Sequence, residues 1–113
     1  MGEETTFGGA VSAKRKELKL SQKALAERVL KEDGTSITPQ YLNDIEHDRR
    51  SPTTDQMVGA LADALGLDRE YLFVLAGKVP PEELRLAAAA RPEQVKAAMV
   101  AFRKTLTTPG KKQ

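Results

Sequence analysis

Leu20-Ser21-Gln22-Lys23-Ala24-Leu25-Ala26-Glu27 and Ile37-Thr38-Pro39-Gln40-Tyr41-Leu42-Asn43-Asp44-Ile45-Glu46 decide how the rest of the chain is read. Each stretch places a hydroxyl residue where a side-chain oxygen can cap a helix, Ser21 in the first and Thr38 in the second. Pro39 then stands at the first helical position, where its missing N–H costs nothing. Behind each cap the apolar residues recur on one face: Leu25, Ala26 and Val29, then Leu42 and Ile45. Two short amphipathic helices in succession are therefore expected. Gly34 suits a left-handed stop, so the first of the two is expected to run on by a turn past Val29 and to fade near Asp33-Gly34.

Working outward, Phe7, Val11 and Leu18 recur at helical spacing and predict a preceding helix over about 9–19. Downstream, Thr53 with Gln56 reads as a capping box for a helix whose core face is Met57, Val58, Leu61, Ala62 and Leu65, stopped by Gly66. Asp68 caps a fifth helix that turns Tyr71, Leu72 and Leu75 inward and ends at Gly77. Residues 78–81 hold two prolines and read as a hinge. Beyond it, Pro81–Ala90 and Pro92–Thr107 carry two more helical patterns. In the second of these Val95, Met99, Phe102 and Leu106 repeat at heptad spacing. No stretch alternates with the period of a strand. The expected fold class is all-α, with five helices over residues 7–77, a two-helix extension over 78–107 and a flexible basic tail over 108–113.

Composition mainly excludes. The chain has 113 residues, no cysteine and one histidine, His47. That removes disulfides, thiolate metal sites and histidine clusters, so no metal and no cofactor are expected. No nucleophile–base set or phosphate loop is present, which argues against an enzyme and leaves no catalytic residue to name. No apolar run approaches a membrane span, and the start lacks a signal-peptide pattern; a cytoplasmic protein is expected. The formal charge of +2 is a sum of unlike parts. Residues 14–31 carry seven basic and two acidic groups, 32–90 five and eleven, and 91–113 six and one.

Arg49-Arg50-Ser51-Pro52 and Leu61-Ala62-Asp63-Ala64-Leu65-Gly66-Leu67 follow the two opening stretches in fixed order. Together the four blocks resemble the Cro/lambda-repressor-like (XRE) helix-turn-helix family, whose pattern runs L-S-Q-x-x-L-A, I-S-x-x-Y-L-S-x-I-E, R-R-x-P and L-A-x-A-L-G-V. The resemblance covers about residues 9–77. It implies a five-helix domain that binds double-stranded DNA, with the third helix in the major groove. One departure stands out: residues 30–36 make the turn between the second and third helices about six residues longer than the family's single glycine. Either this brings Lys31 or Thr35 towards the DNA backbone or it is a surface extension.

Leu42 and Ile45 face inward on the third helix, which leaves Pro39, Gln40, Asn43, Asp44 and His47 outside. Gln40 carries a donor and an acceptor and can pair with adenine N6 and N7. The positions that match the family's base readers are Pro39, Gln40 and Asp44. Asp44 either accepts from cytosine N4 or discriminates by repulsion. The resemblance implies backbone contacts from Gln22, Lys23, Lys14, Asn43, His47, Arg49 and Arg50, helped by amides at the start of the second helix. It also implies that Arg15 pairs with Glu46 and ties the first helix to the third. The Val95/Met99/Phe102/Leu106 seam needs a partner surface, either the domain itself or a second copy. A homodimer on a palindromic operator, acting as a repressor by promoter occlusion, is the expected function. With no room for a sensory domain in 113 residues, control is expected through a partner, abundance or proteolysis. The alternative is a protein-interaction module whose acidic middle binds a protein partner.

Overall fold

Side-chain oxygens start five helices in a row. In the computed structural model, which describes residues 4–52 and 54–108, α1 (Phe7–Glu17) begins at Thr6, α2 (Gln22–Arg28) at Ser21, α3 (Pro39–Glu46) at Thr38, α4 (Asp55–Leu65) at Thr54 and α5 (Arg69–Leu75) at Asp68. Each oxygen accepts the N–H three residues on, at 2.9–3.1 Å. Such a cap contributes about 1 kcal/mol, so these short helices have defined starts before any packing. Gly66, at φ +70°, ends α4, and the Leu67 N–H reaches back to the Ala62 carbonyl. The chain divides into two compact units, Met1–Pro80 and Pro81–Gln113.

In the first unit α1 packs on α3 and α4, α2 on α3, and α4 on α5. Their common core contains Val11, Leu25, Val29, Leu42, Ile45, Val58, Leu61 and Leu72, each fully shielded from solvent. Burying a side chain of this size contributes about 1.5–3 kcal/mol. The expected inward faces of α2, α3 and α4 are all found. Two others differ. Leu18 lies past the end of α1 and is exposed; Phe7, Gly8 and Ala10 supply the buried surface with Val11. On α5, Tyr71 is 46% exposed and Phe73 takes the inward place. Thr53 lies outside the described residues, and the cap of α4 is the neighbouring Thr54.

The segment between α2 and α3 departs from expectation. α2 does not run on: Val29 is already extended, and an isolated bridge pairs Leu30 with Ser36. The Gly34 N–H bonds to the Lys31 carbonyl at 2.9 Å, and the Lys31 N–H to the Thr35 carbonyl at 2.7 Å. With Gly34 at φ +89° this is a miniature three-residue hairpin loop. Asp33 fixes it by accepting from the Thr35 N–H and hydroxyl, bonds that hold its pKa below the usual carboxylate value. Buried Val29 and Ile37 close the base through a mutual backbone bond of 3.0 Å, and the Gln56 side chain of α4 donates to the Leu30 carbonyl. The physical reason is the core: a further helical turn would swing Ile37 away from the place it fills.

The second unit consists of α6 (Pro81–Ala89) and α7 (Pro92–Thr107), close to the expected bounds. Neither helix buries a residue. Among the described residues there is no strand, and no helix is long and apolar enough to cross a membrane.

Gly8 marks the closest approach in the first unit. A Cβ there would collide with the backbone oxygens of Ile45 and Glu46, which cannot move without shifting α3. Gly9, one residue on, faces only the Thr6 hydroxyl. Gly8→Ala is expected to lower stability by about 1–3 kcal/mol despite alanine's better helix propensity. Gly9→Ala should stay within about 1 kcal/mol of the parent in the same thermal melt.

Candidate nucleic-acid interface

Helix α3 is held from behind by charge. The Arg15 side chain, 11% exposed, donates from Nε to Glu46 Oε2 at 2.6 Å and from Nη2 to Glu46 Oε1 at 3.0 Å. Its third donor, Nη1, reaches the Leu20 carbonyl at 2.8 Å, between α1 and α2. Among the described residues of the first unit Glu46 is the buried charged one, its side chain 2% exposed. The bonds to Glu46 hold the Arg15 pKa above its ordinary value, against the opposing effect of burial. The ion pair implied by the resemblance is therefore present in the geometry.

Gln22 completes this cluster. Its Nε2 donates to Glu46 Oε1 and to Asn43 Oδ1, both at 3.0 Å. An amide has two N–H donors, so both are engaged on α3. A bond from Gln22 to a phosphate requires one of them to be released. The same contact fixes Asn43 with its oxygen inward, which leaves the Asn43 NH2 without a partner among the described residues. Half-buried Asn43 is thus presented as a donor by Gln22.

The outer face of α3 has its own network. Pro39 and Gln40 are exposed at its first turn. Gln40 Nε2 donates to Asp44 Oδ1 at 3.1 Å, and Arg49 donates to that oxygen from Nε and Nη2 at 3.3 and 3.1 Å. His47 is exposed at the C-cap and shares its Nδ1 with the Asn43 carbonyl at 2.9 Å. Arg50 lies 5.1 Å from the centre of the Tyr41 ring, in cation–π range. Lys23 is exposed on the first turn of α2, and Lys14 pairs with Glu17 at 3.5 Å across one turn of α1. A surface pair of that kind is worth little and leaves Lys14 available.

Asp48 was not singled out in the sequence. It sits at φ +58° just past α3, and its carboxylate accepts from the Gly8 N–H at 2.9 Å and the Thr6 hydroxyl at 2.7 Å. It pins the end of α3 to the start of α1. The sequence signals were an aspartate tolerant of the left-handed region and the Gly8-Gly9 pair. Both acquire meaning only once the two helices meet.

Two successive helices, here joined by an extended turn, the second carrying a polar outer face and a buried anchoring charge, are the layout of a helix-turn-helix DNA-binding domain. The helix-turn-helix family model matches residues 11–72. The chain belongs to the Cro/lambda-repressor-like (XRE) helix-turn-helix family and is a regulator of the double-stranded-DNA-binding kind. No curated protein and no solved structure matches the chain.

The anchoring cluster makes a quantitative expectation. Arg15→Met leaves Glu46 charged and buried with one partner fewer, and should cost about 3–5 kcal/mol. Adding Glu46→Leu should recover a large part of that loss. Chemical denaturation of the two variants measures both steps.

Proposed function

We propose that the protein is a cytoplasmic, dimeric repressor that occludes a promoter by occupying a palindromic operator. The observation that carries the DNA-reading part is the exposed first turn of α3. There Pro39 and Gln40, with half-buried Asp44 one turn further on, stand on a helix whose inner side is fixed by Arg15, Gln22 and Glu46. A rigid support of this kind favours direct readout, because side chains held in place lose little freedom on binding. In this reading Pro39, Gln40 and Asp44 face base edges. Gln40 keeps its carbonyl and one N–H for adenine after bonding Asp44. Lys14, Lys23, Asn43, His47 and Arg50 meet the phosphates. Gln22 contributes by presenting Asn43.

The dimer part rests on the second unit. Along α7 Met99, Phe102 and Leu106 are each about half exposed or more, in heptad register with half-buried Val95. A helix pair with no fully buried residue has little core of its own and gains stability from a partner surface. A second copy offers the same seam to itself, as two-fold symmetry requires. Two domains so joined would reach half-sites about 34 Å apart on one face of the duplex. The division of labour is then binding by residues 7–77 and assembly by 78–107. Residues 109–113 of the expected basic tail, with Lys111 and Lys112, lie outside the described residues.

Selection of bound fragments from a random duplex pool should return an inverted repeat. Gln40→Ala should relax the preference at one position per half-site, at a cost of about 1–3 kcal/mol. A selected motif unchanged in that variant would remove Gln40 from base reading.

Met99→Glu with Phe102→Glu should convert a dimer to a monomer by light scattering, with the first unit's fold retained. A mass identical to the parent's would take the seam out of the interface.

A further inference from the structure

Asp44 is a negative charge on the face that α3 turns towards a polyanion, and alone it would oppose binding. The structure gives it a dedicated counter-ion. Arg49 donates twice to Asp44 Oδ1, at 3.3 and 3.1 Å, and Gln40 donates to the same oxygen at 3.1 Å. Three donors therefore converge on Oδ1, whereas no hydrogen bond among the described residues engages Oδ2. Arg49 does not take the side-on grip that would occupy both oxygens. The Asp44 side chain is 24% exposed against 55% for Arg49, so the carboxylate is the better-held member of the pair.

From this we infer that Arg49 is a positioning residue for base recognition: it neutralises Asp44 and turns Oδ2 outward to accept from the N4 amino group of a cytosine. The inference rests on the DNA-reading assignment of α3 above and changes the role of one residue in it. A carboxylate is acceptor-only, so it selects base edges that present an amino hydrogen. Adenine offers one too, but beside its N7 acceptor, which repels the carboxylate; cytosine presents N4–H without that neighbour on the same base. Arg49 removes the charge penalty that would otherwise cancel this bond. Gln40, tied to the same oxygen, is oriented by the pair, so adjacent base pairs are read by one coupled unit of Gln40, Asp44 and Arg49. An arginine engaged in this way is not primarily a clamp on the phosphate backbone, the role its place after α3 suggests from sequence.

The test is a double-mutant cycle on the full chain. Its probe is the duplex selected by the parent protein, with variants in which each half-site C·G pair is replaced in turn. Asp44→Ala should lose discrimination at one C·G pair. Arg49→Ala should weaken binding about tenfold or more and lose discrimination at that same pair. In the Asp44→Ala background, Arg49→Ala should change affinity by less than about threefold, because its target is gone. Arg49→Lys keeps the charge without the two-pronged grip, and should recover affinity more than discrimination. Thermal melts should move little in all four variants, since an ion pair this open to solvent contributes little to stability. If Arg49→Ala weakens every duplex equally, and equally in both backgrounds, Arg49 is a phosphate clamp and the inference fails while base reading by α3 stands. An Arg49→Ala protein indistinguishable from the parent also overturns it. A parent chain with no preference among duplexes overturns both.

Discussion

One buried carboxylate organises the first unit. Glu46 is buried on α3, where an uncompensated charge would be prohibitive. It is satisfied by two donors from Arg15 on α1 and one from Gln22 on α2. Because these donors come from different helices, the angles of α1 and α2 to α3 must be right at the same time. Replacement of such a pair by well-packed apolar groups is often neutral or better for stability. Its value here is better sought in geometry. The third Arg15 donor closes on the Leu20 carbonyl just before the cap of α2, so the guanidinium also fixes the entry into the helix-turn-helix. Apolar packing alone tolerates sliding and rotation; a five-bond polar cluster does not. Asp48 performs the complementary task at the other end of α1, and Gly8 lets the backbones approach closely enough for both.

That rigidity bears on how a chain of net charge +2 can read DNA. Bulk electrostatics supply little: the basic groups concentrate in residues 14–31 and 91–113, and α3 itself carries two acids and no base. The acidic residues of α3 are each dealt with separately. Glu46 is turned inward and neutralised by Arg15, and Asp44 is turned outward and neutralised by Arg49. Once both are paired, the face is close to neutral and polar, with amide groups from Gln40 and Asn43. Such a surface is poorly suited to indiscriminate phosphate binding, which scales with unpaired cations. It is better suited to directional hydrogen bonds. The acidic composition of the middle of the chain, taken as a bulk property, favours a protein partner; on α3 itself both acids are paired with arginines.

Features specified by neighbouring residues were legible in the sequence. Ser21, Thr38-Pro39, Asp68 and Gly66 act within one helical turn, and each acts where the pattern placed it. The core faces of α2, α3 and α4 followed from spacing alone. What escaped depends on tertiary closure. The segment 30–36 has a glycine that serves equally as a helix stop or as the left-handed residue of a hairpin, and only the burial of Val29 and Ile37 on either side decides between them. Tyr71 and Phe73 are both aromatic and two residues apart, so a short helix can turn either one inward; the fully apolar ring is the one buried. At the candidate interface the residue types were legible but their pairings were not. Nothing local tells that Gln22 has both hydrogens engaged or that Arg49 reaches back five residues to Asp44.

The two units differ in what holds them together, and this difference has a functional sense. The first contains the shielded core, five side-chain caps and two polar clusters, all intramolecular. The second has good helix formers and an amphipathic pattern but no buried residue. Isolated helices of this length are marginal in water, so the order of α6 and α7 depends on whatever covers their apolar face. Coupling of order to the proposed assembly would make the second unit sensitive to concentration in a way the first is not. For the dimer on paired half-sites proposed above, this sensitivity would be useful. A single domain binds one half-site with its own affinity alone, whereas two domains joined at the proposed seam would gain from effective concentration without any new contact to DNA. In the proposed dimer the near-neutral outer face of α3 and the apolar seam of α7 would belong to one arrangement, in which occupancy would respond steeply to the amount of protein present.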